Sequence, residues 1–165
     1  IEGQVLINQL AAFMAAKLRE AGHAAVVPTQ DSRSESWGHR AEPPAFGSNW
    51  SERHVGYVCG LGTFGLSKGL ITEKGMAGRM TSLVTTLSLP ADPRPYAGVY
   101  DYCSMCGACV RNCPAGAIDH VLGKDHAKCS DFLDVTRARH APRYGCGKCQ
   151  VGVPCEQGPQ CAVGG

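Results

Sequence analysis

The sequence lacks the features that mark a membrane protein or a secreted, disulfide-bonded one. No apolar run approaches the roughly 18 residues of a membrane span, and no charged n-region followed by an apolar h-region opens the chain. Charged residues make up 18% of the chain and the net charge is +2, which is too little to predict a nucleic-acid partner from charge alone. Cysteine is nearly missing before residue 103, where only Cys59 occurs. The informative residues therefore lie in the C-terminal part of the chain.

Nine of the ten cysteines follow residue 102, and the first four of them have the spacing of metal ligands. The run Cys103-Ser-Met-Cys106-Gly-Ala-Cys109-Val-Arg-Asn-Cys113-Pro114 has the pattern C-x2-C-x2-C-x3-C-P of bacterial two-cluster ferredoxins. In that pattern three thiolates bind one cubane and the fourth binds a second one. Because this spacing is not typical of a disulfide framework, it predicts a [4Fe-4S] protein in a reducing cytoplasm.

A second, looser cysteine group supplies the remaining ligands that two clusters need. We expect cluster 1 to be bound by Cys103, Cys106, Cys109 and Cys155. We expect cluster 2 to be bound by Cys113, Cys129, Cys146 and Cys149. Pro154 precedes Cys155 instead of following it, and whether Cys161 replaces Cys155 as a ligand stays open at this point.

Two other interpretations of the cysteines compete with this assignment. A zinc site with four cysteine ligands also uses paired C-x2-C units, although zinc sites seldom combine three cysteines at this spacing with a Cys-Pro. Cys59 lies in an apolar segment that reads as a helix, so we expect it to be a small buried hydrophobe rather than a ligand.

The remaining pattern predicts a small α/β region before the cysteines. Residues 4–21 read as an amphipathic helix whose apolar positions are Leu6, Leu10, Phe13, Met14 and Leu18. Strands are predicted at 24–27, 69–72 and 79–89, and a short helix at 52–59 with Ser51 as its N-cap. A long polar loop at 29–50 and a proline-containing linker at 90–95 separate these elements. We therefore expect two domains, residues 1–95 and 96–165.

A glycine-rich segment, Gly60-Leu-Gly62-Thr-Phe-Gly65, formally matches the dinucleotide-binding pattern G-x-G-x-x-G. That pattern requires a preceding strand and an acidic residue about twenty positions further on. Here a predicted helix precedes the glycines, and position 80 is Met80. We therefore do not predict a nicotinamide cofactor.

The segment from Glu52 to Ile71, followed by the cysteine run, resembles a known family. It reads Glu-Arg-His-Val-Gly-Tyr-Val-Cys-Gly-Leu-Gly-Thr-Phe-Gly-Leu-Ser-Lys-Gly-Leu-Ile. This combination is similar to the epoxyqueuosine reductases and the related reductive dehalogenases, in which an A-G-L-G-x-x-G segment precedes two cubane clusters. The resemblance covers approximately residues 50–156.

The resemblance implies an α+β protein: a partial nitroreductase-like α/β domain that holds a corrinoid, followed by a bacterial two-[4Fe-4S] ferredoxin-like module. Electrons from an external low-potential donor would pass through both clusters to the cobalt of cobalamin, which would reduce a substrate. Gly60, Gly62 and Gly65 would contact the corrinoid. The chain opens at Ile1 without a methionine, and the family comparison leads us to expect a missing N-terminal segment.

The resemblance assigns no catalytic residue. Epoxyqueuosine reductases carry a proton-donating aspartate shortly before the Glu-Arg pair, but the corresponding position here is Phe46, and the nearest upstream aspartate is Asp31. The alternative function is a stand-alone ferredoxin-type electron-transfer protein or subunit that docks to a redox partner. A nucleic-acid partner, including tRNA, ranks third. Its support is a basic run that is more typical of a solvated face: Arg137, Arg139, Arg143 and Lys148.

Overall fold

A computed structural model gives the fold, and it describes residues 1–37 and 47–160. Short elements and many turns make up this part of the chain. Its helices are α1 (Glu2–Glu20), α2 (Glu52–Val58), α3 (Ala108–Arg111) and α4 (His126–His140). Its strands are β1 (Ala25–Val26), β2 (Ser36–Trp37), β3 (Gly47–Ser48), β4 (Gly62–Phe64), β5 (Leu70–Thr72), β6 (Val84–Thr85), β7 (Ile118–Asp119) and β8 (Gly123–Lys124). The strands pair antiparallel as β1–β6, β2–β3, β4–β5 and β7–β8. No helix in the described ranges is long and apolar enough to cross a membrane.

Contacts divide the chain into two units, Ile1–Gly56 with Arg79–Pro93 and Tyr57–Gly78 with Arg94–Gly165. We call them unit 1 and unit 2. The division differs from the predicted boundary at residue 95, because the segment from Tyr57 to Gly78 belongs with the cysteines rather than with the N-terminal helix. The glycine-rich segment is therefore part of the cysteine-containing unit.

Helix α1 is confirmed, but its buried face is not the one with the large apolar side chains. Ala11 and Ala15 are each 1% exposed and pack with Ala25 and Val27, with the partly buried Leu18 alongside. Alanine allows the strand to approach the helix backbone closely. The other four predicted apolar positions are between 48% and 58% exposed: Leu6, Leu10, Phe13 and Met14.

The other elements of unit 1 are shorter than predicted. The strand expected at 79–89 is limited to β6. Its partner β1 ends at Val26, two residues before Pro28, where the chain turns away in a 3-10 turn. The loop expected at 29–50 contains that turn and the pair β2–β3, in which Ser36 lies opposite Ser48. Residues 38–46 of this loop, Phe46 included, lie outside the described residues.

Unit 2 is built around the β4–β5 hairpin, which packs against the chain that carries the cysteines. Its buried cluster consists of Ile71, Met76, Tyr96, Tyr102, Ala108 and Val153. The Tyr102 N–H donates to Thr63 Oγ1 at 2.9 Å, and the Phe64 N–H donates to the Val99 carbonyl at 2.8 Å. These bonds fix the hairpin on the segment that leads into Cys103.

Candidate metal centre

The loop from Cys103 to Cys113 turns through two residues in the left-handed region of the backbone. Met105 has φ 53° and Gly107 has φ 70°. Positive φ is uncommon for a non-glycine residue such as Met105, so this loop is held in a specific conformation. Gly107 then begins α3, which carries Cys109. A Cβ at Gly107 would overlap the His120 ring, so glycine is required there for space as well as for its φ.

Four cysteine side chains line one cavity at this loop: Cys103, Cys106, Cys109 and Cys155. Cys155 reaches the cavity from the 3-10 turn Pro154–Glu156, far along the chain. Gly107, Ala108 and Val153 fill the wall between the sulfurs. The structure therefore brings together the four residues predicted for cluster 1. Cys161, the alternative ligand, lies outside the described residues.

Two of the thiols in this cavity, Cys109 and Cys155, have a raised pKa. Burial, followed by the charge of Cys103, raises the pKa of Cys155 to about 11. Burial also raises the pKa of Cys109, with Cys103, Cys149 and Cys106 as further causes. Only the thiolate binds metal, so cations entering this cavity must displace protons from it.

The second cysteine group surrounds Cys149. Its pKa is raised, first by burial; the positive charge of Lys124 acts in the opposite direction, while Cys129 and Cys146 raise it further. Cys129 lies on the first turn of α4, whose N-cap Asp125 accepts a hydrogen bond from the Lys128 N–H. Two predicted cluster 2 ligands, Cys129 and Cys146, thus lie within electrostatic range of a third, Cys149. Cys149 also acts on Cys109, which makes the two groups neighbours.

In sequence, Cys113 lies between the first three cysteines of the C-terminal part and the second cysteine group. It follows α3, and its Sγ accepts a hydrogen bond from the Ala117 N–H at 3.3 Å. Amide donors of this kind are typical around the sulfurs of iron–sulfur clusters. The assignment of Cys113 to cluster 2 stays a prediction.

The donor set fits an iron–sulfur cluster. Four soft sulfur ligands surround an apolar cavity, and cubane clusters are bound by four cysteine thiolates. Within residues 1–37 and 47–160 no three His, Cys, Asp or Glu side chains converge on a point suited to a single metal ion. The fit therefore rests on the cavity that the four sulfurs line. A cluster bound there supplies one-electron transfer.

The glycine-rich segment forms a strand rather than an open turn. A Cβ at Gly62 would overlap the Ile71 carbonyl oxygen of the paired strand β5, and one at Gly65 would lie 3.2 Å from the Ile71 side chain. Gly60 has φ 84° just after α2. Close strand pairing thus already accounts for Gly62. The contact of Gly60, Gly62 and Gly65 with a corrinoid stays a prediction.

Asp31 is poorly suited to act as a proton donor. Arg33 forms two hydrogen bonds with its carboxylate, at 2.6 and 2.9 Å, and lowers its pKa to about 2. A carboxylate with this pKa is ionised at neutral pH and holds no proton to give. The structure therefore gives no support to Asp31 as a substitute for the missing aspartate.

The structure corrects the prediction for Cys59 and adds Met76 to the site. The prediction that Cys59 is buried is wrong: it is exposed, since it follows the end of α2 and precedes the turn at Gly60. Met76 was not predicted as part of the site, yet its Sδ lies 3.2 Å from Cys155 Sγ. No spacing rule identifies Met76, because the contact joins residues far apart in sequence.

Comparison with known proteins supports the first cysteine group. Residues 98–119 match a family model described as a 4Fe-4S binding domain, and Cys103, Cys106, Cys109 and Cys113 lie within the match. No curated protein and no solved structure matches the chain. The resemblance to epoxyqueuosine reductases stays a prediction. Residues 98–119 are a 4Fe-4S binding segment, and this indicates an iron–sulfur electron-transfer role.

Proposed function

We propose that this chain is an iron–sulfur protein that passes single electrons through two [4Fe-4S] clusters. Cluster 1 is bound by Cys103, Cys106, Cys109 and Cys155, and cluster 2 by Cys113, Cys129, Cys146 and Cys149. The observation that carries the proposal is the cavity lined by all four cluster 1 cysteines, one of which comes from far outside the matched segment.

The arrangement of the second group supports a relay rather than a single centre. Cys129 and Cys146 act electrostatically on Cys149, and Cys149 in turn acts on Cys109 of the first cavity. Two clusters bound by these groups would exchange electrons with each other.

The ligand assignment is tested by removing one sulfur from each candidate position. The chain, reconstituted without oxygen, is expected to hold about eight irons and no stoichiometric zinc. We expect Cys155→Ala to lose roughly half of that iron together with the EPR signal of one cluster. Cys161→Ala is the matched control and keeps the wild-type iron content. If Cys161→Ala loses the iron and Cys155→Ala keeps it, the cluster 1 assignment is wrong.

A second candidate function is a corrinoid-dependent reductase, in which the clusters feed cobalamin. One structural observation favours it. Gly65, the last residue of the glycine-rich segment, lines the same cavity as the cluster 1 cysteines, and so do Leu66 and Ser67, which follow it. An acceptor bound on this segment would therefore lie beside cluster 1. An external low-potential protein would supply the electrons.

Cobalamin binding separates the two candidates. The reductase predicts that the chain with its clusters retains cobalamin at micromolar concentration through gel filtration, with the visible bands of the corrinoid eluting with the protein. The stand-alone carrier predicts that all of the cobalamin elutes separately while the clusters remain reducible.

A further inference from the structure

The Cys155 sulfur is covered by the side chain of Met76. The two sulfur atoms are 3.2 Å apart, and Met76 is 4% exposed. The Met76 N–H donates to the Cys155 carbonyl at 3.1 Å, so the backbone holds the two residues together. A Cβ at Gly69 would overlap the Met76 methyl group, so Gly69 leaves the space that this side chain occupies.

Met76 belongs to an apolar wall behind the Cys155 sulfur. It packs with Ile71, Tyr102 and Val153 in the buried cluster of unit 2, against which Cys103, Cys109 and Cys155 are placed. A thioether donates no hydrogen bond. Met76 therefore excludes water from the Cys155 sulfur without replacing the hydrogen bonds that water would give.

One cysteine assigned to cluster 2 accepts a backbone hydrogen bond. The Ala117 N–H donates to Cys113 Sγ at 3.3 Å. Hydrogen-bond donors stabilise the more negative state of a neighbouring group.

We propose that Met76 is a positioning residue that keeps the Cys155 sulfur dry and thereby holds cluster 1 at a lower reduction potential than cluster 2. This inference rests on the proposed two-cluster function. Each cluster gains one electron and one negative charge on reduction, and no bond is made or broken. An apolar wall disfavours the added charge, whereas hydrogen-bond donors favour it. An electron shared between the clusters therefore resides on cluster 2 at equilibrium.

The test is a redox titration of the reconstituted chain with dithionite, followed by EPR. The wild type is expected to show two reduction waves. Met76→Gln places an amide donor beside Cys155 and is expected to raise the lower wave alone. At a fixed potential within that wave, the ratio of reduced to oxidised cluster increases about tenfold, a shift of about 59 mV for one electron. Met76→Leu keeps the wall apolar and leaves both waves in place.

Met105 provides the matched control on the outer side of the same cluster. Its Sδ lies 3.9 Å from Cys103 Sγ, but the residue is 42% exposed, so water already reaches it. Met105→Gln is expected to leave both waves at their wild-type positions. If Met76→Gln does not fold, Met76→Ser, which admits water to the same sulfur, must raise the lower wave.

Different results would contradict the role of Met76 and the proposed two-cluster function. A wild-type preparation with the iron of only one cluster would contradict the proposed function itself. A preparation with two clusters, in which Met76→Gln leaves the lower wave unmoved or shifts both waves equally, would contradict only the role of Met76. A shift by Met76→Leu as large as that by Met76→Gln would also overturn it, because both side chains would then act through packing.

Discussion

Cys155 is the residue that completes the first cluster site. It lies far beyond the segment that matches the 4Fe-4S family model. It reaches the cavity from the 3-10 turn Pro154–Glu156, in which the carbonyls of Cys155 and Glu156 accept from the N–H groups of Met76 and Ala77. Burial and the nearby sulfurs raise its thiol pKa to about 11, so this thiol is protonated at neutral pH when no metal is bound. Cluster assembly is therefore coupled to the release of protons.

The Asp31 carboxyl is expected to have a low pKa because Arg33 lies beside it. We expect this carboxyl to titrate near 2 in the folded chain and Arg33→Ala to return its pKa towards the ordinary value of 3.8. Since the folded pKa is the lower one, the Asp31–Arg33 pair stabilises the fold above about pH 4 and loses this effect as the pH falls towards 2. An NMR titration of the Asp31 carboxyl measures both values.

Arg79→Ala is the control for this titration, because Arg79 bonds Gln4 in the same unit and does not pair with Asp31. It should leave the Asp31 value unchanged. An Asp31 pKa above neutral in the wild type would reverse the conclusion and make this carboxyl a candidate proton donor.

At the scale of elements, α4 depends on its N-terminus more than on a buried face. None of its residues is buried, and Asp125 caps it by accepting from the Lys128 N–H at 3.1 Å. Cys129 lies within the first turn, so fraying of this end displaces a predicted cluster 2 ligand. The stability of that cluster should follow the stability of the cap.

We expect Asp125→Ala to cost about 1 kcal/mol of helix stability and to accelerate iron loss from cluster 2. Loss of each EPR signal in the presence of a chelator gives the two rates separately. Asp134→Ala is the control, because it removes only an exposed ion pair with Arg137 further along α4. Equal rates of loss in the wild type and in Asp125→Ala would show that the cap does not hold the ligand.

Some elements were predicted from sequence patterns, whereas the surroundings of their side chains were not. Helices α1 and α2 and strand β5 follow from local periodicity and caps, so they were predicted nearly in full. The exposed Leu6, Leu10, Phe13 and Met14 were not, because periodicity gives the apolar face of a helix but not what covers it. The first four C-terminal cysteines, Cys103 to Cys113, were predicted from a spacing rule. Met76 lies at the site through a tertiary contact with Cys155, which no local pattern encodes.

For the whole molecule, the two units are expected to respond differently to iron removal. In the cysteine-containing unit, three cluster 1 cysteines pack directly against the buried cluster of side chains. Metal ligation is therefore expected to contribute much of its stability. Unit 1 contains α1 and its own buried cluster but no predicted ligand.

Hydrogen exchange followed by mass spectrometry tests this difference. After a chelator removes the iron, we expect exchange to accelerate over residues 57–78 and 94–160 while α1 keeps its protection. The chain with its iron retained, incubated under the same conditions, is the control. Equal acceleration in both units would show that the clusters stabilise the whole chain together.

Metal analysis with EPR spin quantification decides whether the cysteines of this chain bind two [4Fe-4S] clusters. On anaerobically reconstituted protein we expect about eight irons per chain, negligible zinc and, after full reduction, two interacting one-electron centres. About one zinc ion per four cysteines, or the iron of a single cluster, would contradict it.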